Sequence, residues 1–297
     1  MPDDGIETII LEADGDGPAL ELLRTTSISH ETNRPPILFV HGYTAGAWQF
    51  AQHIMPALAA EGWTSYALNL RGHGGSGGRE AIRTTRFADY AADVARAAAH
   101  VEGAHEKKIV LVGHSLGSVL ARHHSSMHPV AGLGLVSFGD IRIGMKGFMG
   151  WMMRRFPVQA MVGMLTGRPS RMFARFEPQY AVMYEGQERE TVRANVEQLM
   201  AQPDSDKVFK ELGKLSIGTP LGDPPVLILA GDNDPIASTE SMHALAAASG
   251  LEPVILDGGV HDLFAGSTWQ RTYSHLSKWL DEIQGDIGSE NAATGSP

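Results

Sequence analysis

Eight short apolar runs, each of strand length, recur along this 297-residue chain: Ile6–Glu12, Ala19–Arg24, Pro36–Val40, Ser65–Leu70, Lys108–Val112, Gly132–Phe138, Pro225–Ala230 and Pro253–Leu256. Most are apolar throughout instead of alternating, the pattern of strands covered on both faces. Helical stretches at Trp48–Glu61, Phe87–Glu102 and Ser118–Met127 fall between them. Alternation of this kind implies an α/β fold, a mostly parallel sheet flanked by helices. The rhythm breaks once, because Ile141 to Gly222 contains helical patterns and loops but no strand run. An excursion of that length is read as an inserted helical cap, or lid, over residues 141–221. Residues 1–140 and 222–285 then form the core, and the polar stretch 286–297, which lacks periodicity, is expected to be disordered.

Charge narrows the range of partners. Lys and Arg total 24 against 34 Asp and Glu, a net −10, which argues against nucleic acid, whose binding depends on basic residues releasing phosphate counterions. The charge is uneven. Ile141–Phe176 carries Arg142, Lys146, Arg154, Arg155, Arg168, Arg171 and Arg175 with no acid, so the segment is +7 and the remainder −17. The absence of cysteine excludes disulfides, thiolate metal sites and Cys nucleophiles. The N-terminal MPDDGIETII lacks the basic start of a signal peptide, and no apolar run approaches the roughly 20 residues of a membrane span. A soluble, cytoplasmic protein is the expectation.

Two strings fit G-x-S-x-G, and context separates them. Gly113–Gly117 (GHSLG) follows the strand KKIVLV and precedes a helical stretch, as a nucleophile elbow at Ser115 requires. Gly74–Gly78 (GGSGG) lies in a glycine run with no helix start behind it, so Ser76 reads as a flexible loop serine. The same run spells G-x-G-x-x-G, but Asp89 and Asp93 fall in a helix and not at the end of a second strand, against a dinucleotide site. No cofactor is expected. A serine hydroxyl needs a positioned base held by a carboxylate. His261, after the strand PVIL and the loop DGGVHD, reaches the same sheet edge as Ser115, and the loop GDNDP offers Asp232 and Asp234. His124 and His128 have helical chelating spacing, but no carboxylate sits between them and Pro129 stops the helix, so they read as a solvated helix end and no metal is expected.

Taken in order, HGYTAG, RGHGGS, GHSLG, GDNDP and GGVHD resemble the α/β-hydrolase superfamily along the whole core. That resemblance implies a triad of Ser115, Asp234 and His261, with Asp232 and Asp140 as other sources of the acid. It implies an oxyanion hole from the Tyr43 and Leu116 amides, with His41 holding its loop. RGHGGSGG, GHSLG and a helical cap together resemble the monoacylglycerol lipase and lysophospholipase branch, whose expected substrates are esters with one long acyl chain.

The cap segment adds a greasy stripe. Met145, Phe148, Met149, Met152, Met153 and Phe156 recur at helical spacing, and Val158, Met161, Val162 and Leu165 repeat it after a break at Pro157. Such a stripe packs on the core or lines an adaptable pocket; Trp48, Met145, Phe148, Met149 and Met152 are the expected pocket residues. Alternatively Trp151 and the basic face rest on a membrane surface. The expected function is hydrolysis of small hydrophobic carboxylic esters through an acyl-enzyme. Amide, lactone or carbon–carbon bond hydrolysis, acyl transfer and a ligand receptor on the same fold remain open alternatives.

Overall fold

The computed structural model describes residues 5–15, 17–25, 33–215, 221 and 224–294, with side chains as far as 285. All eight expected runs form strands: β1 (Ile6–Leu11), β2 (Leu20–Thr25), β3 (Ile37–Val40), β4 (Ser65–Asn69), β5 (Val110–His114), β6 (Gly132–Val136), β7 (Val226–Gly231) and β8 (Val254–Leu256). They make one sheet in the order β1-β2-β4-β3-β5-β6-β7-β8. β2 pairs antiparallel with both neighbours, and the strands from β4 to β8 pair in parallel.

Parallel strands need helical crossovers, and these cover both faces. The helices are α1 (Trp48–Ala51), α2 (Ile54–Ala60), α3 (Phe87–His105), α4 (Leu116–Ser125), α5 (Ile141–Arg155), α6 (Pro157–Leu165), α7 (Phe176–Met183), α8 (Arg189–Ala201), α9 (Asp206–Leu212), α10 (Thr239–Ala247) and α11 (Trp269–Thr294). The period-2 rule divides the strand side chains. Leu38 and Val40 of β3 pack with Val94 of α3, Leu120 of α4 and Met242 of α10. Ile37 and Phe39 point the other way, to Phe50, Leu58 and the α11 residues Leu276 and Leu280. The continuous apolar strands are therefore buried on both faces, as their composition implies.

Helices α5 to α9 fill the interval between β6 and β7 and enclose a third apolar cluster, with Phe148, Met152, Met172, Tyr184 and Val196 packed on Ala45 and Ala265 of the sheet unit. The helix break falls at Pro157, whose ring is tolerated in a first turn but not in a helix interior. Residues 216–220 and 222–223, where the insertion was expected to end, lie outside the described residues. The expected stripe packs inward along α5 except at Met153, which is exposed, and fails along α6: Val158, Met161 and Leu165 are 66%, 48% and 81% exposed, so α6 turns this face to solvent. The 286–297 stretch is corrected in part, since α11 continues through Thr294 and residues 295–297 are not described. Extending an existing helix costs far less than starting one.

Two histidines are enclosed where β3 and β5 end. Burial, then the charge of His73, pushes His41 down to about 3. Burial, then the charge of His261, pushes His114 down to about 4. Below about pH 6.5 the unfolded chain protonates both while the fold does not, so stability is full above that pH and declines as pH drops toward these values. We expect the urea midpoint to fall steadily between about pH 7 and about pH 5, the two groups adding at most about 2.7 kcal/mol per pH unit; a flat profile would contradict the neutral assignment.

Candidate active site

β5 runs directly into Ser115, and α4 starts at the next residue. Ser115 sits at φ 53°, ψ −117°, a conformation that costs a non-glycine residue about 1–3 kcal/mol. Close packing enforces it. A Cβ on Gly117 would overlap the carbonyls of Val40 and His41, and one on Gly113 would overlap the Gly117–Ser118 backbone. The two glycines of GHSLG let α4 press against the end of β3, which leaves the serine side chain lifted off the strand. Its amide donates to Val136 O at 2.9 Å, and Ser118 Oγ donates to Gly113 O at 2.6 Å, so the turn is bonded on both sides.

Ser115 Oγ lies 2.9 Å from His261 Nε2, and His261 Nδ1 lies 2.8 Å from Asp234 Oδ2. Asp234 Oδ1 accepts the amides of Ile236 and Ala237 at 2.7 and 2.9 Å, which fixes the carboxylate from behind. A carboxylate at Nδ1 selects the tautomer with the proton there, leaving Nε2 to accept from the serine hydroxyl. The other two acids are placed elsewhere. Asp232 is exposed, and Asp140 caps α5 by accepting the amides of Arg142 and Ile143.

The support for His261 was not visible in the sequence. Its carbonyl accepts from Ser137 Oγ at 2.7 Å and from His114 Nε2 at 2.8 Å. Gln49 Nε2 in turn donates to His114 Nδ1 at 3.2 Å, so a neutral His114 satisfies both of its nitrogens. Only a sequence signal for long-range pairing could have found these residues, because they lie on β5, the β6 loop and α1. His41 donates from Nδ1 to Gly42 O and accepts the Leu70 amide at Nε2, consistent with a loop-holding role.

Ser115 opens on a cavity lined on one side by Gly42, Tyr43, Leu116 and His261. The Tyr43 and Leu116 amides have no acceptor among the described residues. Helices of the insertion complete the walls. Of the five expected pocket residues, Met145 and Phe148 line the cavity. The other three are corrected: Met149 borders a separate cleft with Met164 and Met172, Met152 is sealed in the core of the insertion, and Trp48 packs against that core. Phe138, just after β6, and Phe173, Val182, Met183 and Phe209 take their places, the last four brought in by elements whose folding back onto the sheet has no local signature.

The decoys resolve into structure. Ser76 is buried, not flexible: Oγ donates to Asn69 O at 2.6 Å and accepts the Glu21 amide at 2.8 Å, tying the glycine loop to β2. That loop leads into a short 3-10 turn at Arg79–Thr84, and Asp93 is bound by Arg71 at 2.7 Å. His124 is buried, not solvated, with its ring 4.7 Å from that of His128. Among the described residues, no group of three His, Asp or Glu side chains is placed to hold a metal ion, and no helix is long and apolar enough to cross a membrane.

Three solved structures illustrate the likeness of the fold. A lipase in its open form is 18% identical with a TM-score of 0.70, covering 94% of this chain and 99% of the other. A membrane phospholipase A described as a bacterial virulence factor is 18% identical with a TM-score of 0.67, over 95% and 87% of the two chains. Epoxide hydrolase A from Mycobacterium thermoresistibile is 17% identical with a TM-score of 0.65, over 93% and 98%. At such identities the shared property is the fold, and their chemistries differ. No curated protein sequence matches the chain significantly. The family model for the alpha/beta hydrolase family matches residues 37–273, most of the chain and all of the site, and the protein belongs to that family.

Proposed function

We propose that the protein is a serine hydrolase that cleaves carboxylic esters bearing one hydrophobic acyl chain. The observation that carries this reading is the hydrogen-bonded sequence Asp234–His261–Ser115 at the wall of an apolar cavity. In the first half-reaction Ser115 Oγ attacks the ester carbonyl while its proton passes to His261 Nε2. The tetrahedral oxyanion is held by the Tyr43 and Leu116 amides. Collapse breaks the bond to the alkoxy group, which leaves as the alcohol with the proton from His261. Water then attacks the acyl-Ser115 ester, giving a proton to His261, and the second collapse returns that proton to Ser115 and releases the acid. Asp234 stays ionised throughout and stabilises the imidazolium that forms twice.

Serine at the elbow favours this route over an aspartate-nucleophile displacement. Substrate class follows from the lining: Met145, Phe148, Phe173, Val182 and Phe209 offer an acyl chain apolar contact, and the methionines adapt in shape. Monoacylglycerols and lysophospholipids combine one such chain with a polar leaving group. The helical insertion acts as the cap over this cavity.

The same reading extends to where substrate comes from. α6 presents Val158, Met161, Val162, Met164 and Leu165 to solvent, with Arg154 and Arg155 before it and Arg168 and Arg171 after it in sequence. An exposed apolar helix face bordered by cations fits the surface of an anionic lipid assembly. Docking there would bring the cap to a source of single-chain esters.

Three outcomes are expected. Ser115→Ala abolishes hydrolysis of a nitrophenyl ester and labelling by a fluorophosphonate, whereas Ser76→Ala keeps both and loses about 1–3 kcal/mol of stability in urea melts; activity retained by the first variant and lost by the second would reverse the assignment. Across a series of acyl lengths, kcat/KM rises from acetyl to chains of about eight carbons or more, at about 0.8 kcal/mol per buried methylene at most; a sharp acetyl preference contradicts the acyl-chain reading. Co-sedimentation with anionic vesicles falls at least fivefold in a Leu165→Ser/Met161→Ser variant and weakens with salt, while binding that ignores both changes excludes α6 as the docking face.

A further inference from the structure

The turn after β3 contains a second strained residue. Thr44 has φ 58°, a left-handed conformation that is a genuine outlier for a β-branched side chain. A bond from far along the chain holds it there. The Thr44 amide donates to Asp204 Oδ2 at 2.6 Å across 160 residues. Asp204 lies between α8 and α9, in the helical insertion, and is 2% exposed. Its other oxygen accepts from Tyr90 OH at 2.7 Å and from the Ser205 amide at 2.6 Å. A carboxylate surrounded by donors in this way is an ion.

The basic side chain against this carboxylate is His73. Its Nε2 lies 3.2 Å from Asp204 Oδ2, and its Nδ1 lies 3.0 Å from the Arg71 carbonyl. Both partners can only accept, so each ring nitrogen must carry a proton to be satisfied. A neutral ring would point a lone pair at one oxygen or the other, in a place where water does not reach. The remaining titratable groups against His73 are the His41 ring at 4.7 Å and the Tyr90 ring at 6.0 Å. His41 is neutral by its own hydrogen bonds. Tyr90 keeps its proton, because burial and then the charge of Asp204 push it well above the ordinary phenol value.

We propose that Asp204, paired with a doubly protonated His73, is a positioning residue for the oxyanion turn. By pinning the peptide that follows Tyr43, it keeps Thr44 in its strained state and with it the turn that presents the Tyr43 amide. Because Asp204 enters from the insertion, the oxyanion turn is complete only when the insertion is seated on the sheet unit. The proposal rests on the reading of Ser115 as nucleophile and the Tyr43 amide as oxyanion donor.

Asp204→Asn tests it, keeping the side-chain size while removing the charge. Kinetics are compared on an ester and on the thionoester with sulfur in place of the carbonyl oxygen. Their rate ratio does not depend on how much protein is folded, and it reports the fit of the oxyanion. The variant is expected to lose at least tenfold in kcat on the ester with KM within threefold, and its oxygen-over-sulfur preference is expected to fall at least fivefold. An unchanged preference would overturn the positioning role. For the case in which the variant does not fold, the wild-type protein carries the second measurement. Nitrogen-15 NMR, with the His73 signals identified by their loss in His73→Gln, should find both ring nitrogens carrying a proton. One unprotonated ring nitrogen would overturn the ion pair. Ser115→Ala is assayed in parallel: turnover there defeats the nucleophile reading, whereas a dead Ser115→Ala beside an unmoved Asp204→Asn defeats the role of Asp204 alone.

Discussion

The close approach of α4 to the end of β3 is the contact on which the site depends. It is possible because Gly113 and Gly117 have no side chains where Val40, His41 and Ser118 need the space. With the helix this near, the chain can turn from strand to helix only by placing Ser115 at a positive φ. The strain, about 1–3 kcal/mol, is held in place by the two buried cores on either face of the sheet. A serine in relaxed backbone would lie down along the strand; this one stands over the cavity with its hydroxyl toward His261. The same approach leaves the Leu116 amide, first in α4, without an acceptor among the described residues.

Around that fixed point the structure uses long-range bonds to hold otherwise mobile loops. The loop carrying His261 is anchored by its carbonyl, which takes bonds from Ser137 and His114. The loop carrying Asp234 is fixed by its own Ile236 and Ala237 amides. On the opposite side, the turn after β3 is held by Asp204 of the insertion. The helices between β6 and β7 therefore do two things. They wall the cavity with apolar side chains, and they supply a polar tie to the sheet unit near Ser115. One of them, α6, keeps its own apolar face outward, which is costly in water and is accounted for by a lipid surface in the function proposed above.

The sequence was most legible where a local pattern and the final environment agree. Strands such as β3 and β5 are apolar on both faces because both faces are covered, so composition revealed them. GHSLG was readable because a sharp strand-to-helix turn leaves glycines on both sides of the serine. Position in the strand–loop order pointed to His261 and to the loop carrying Asp232 and Asp234, between which only the family resemblance chose. What stayed hidden depends on folding back at long range. His114 and Ser137 are ordinary members of their strand and loop until the His261 carbonyl arrives between them. Met149 and Met152 share a helical stripe with Met145 and Phe148, yet small rotations around α5 send them to a separate cleft and a sealed core. The α6 pattern misled for a related reason: periodicity identifies an apolar face but not what covers it. Ser76 read as mobile because its glycine neighbours are permissive, whereas its hydroxyl is bonded to two segments.

The central claim is that Ser115 becomes acylated during turnover. Acid-quenching the protein within the first turnovers of an activated ester, then mapping its mass, tests this directly. The account predicts one acyl group per chain on Ser115 within the peptide Ile109–Arg122, with the neighbouring Ser118 unmodified. Turnover with no acyl adduct, or an adduct on another residue, would contradict it.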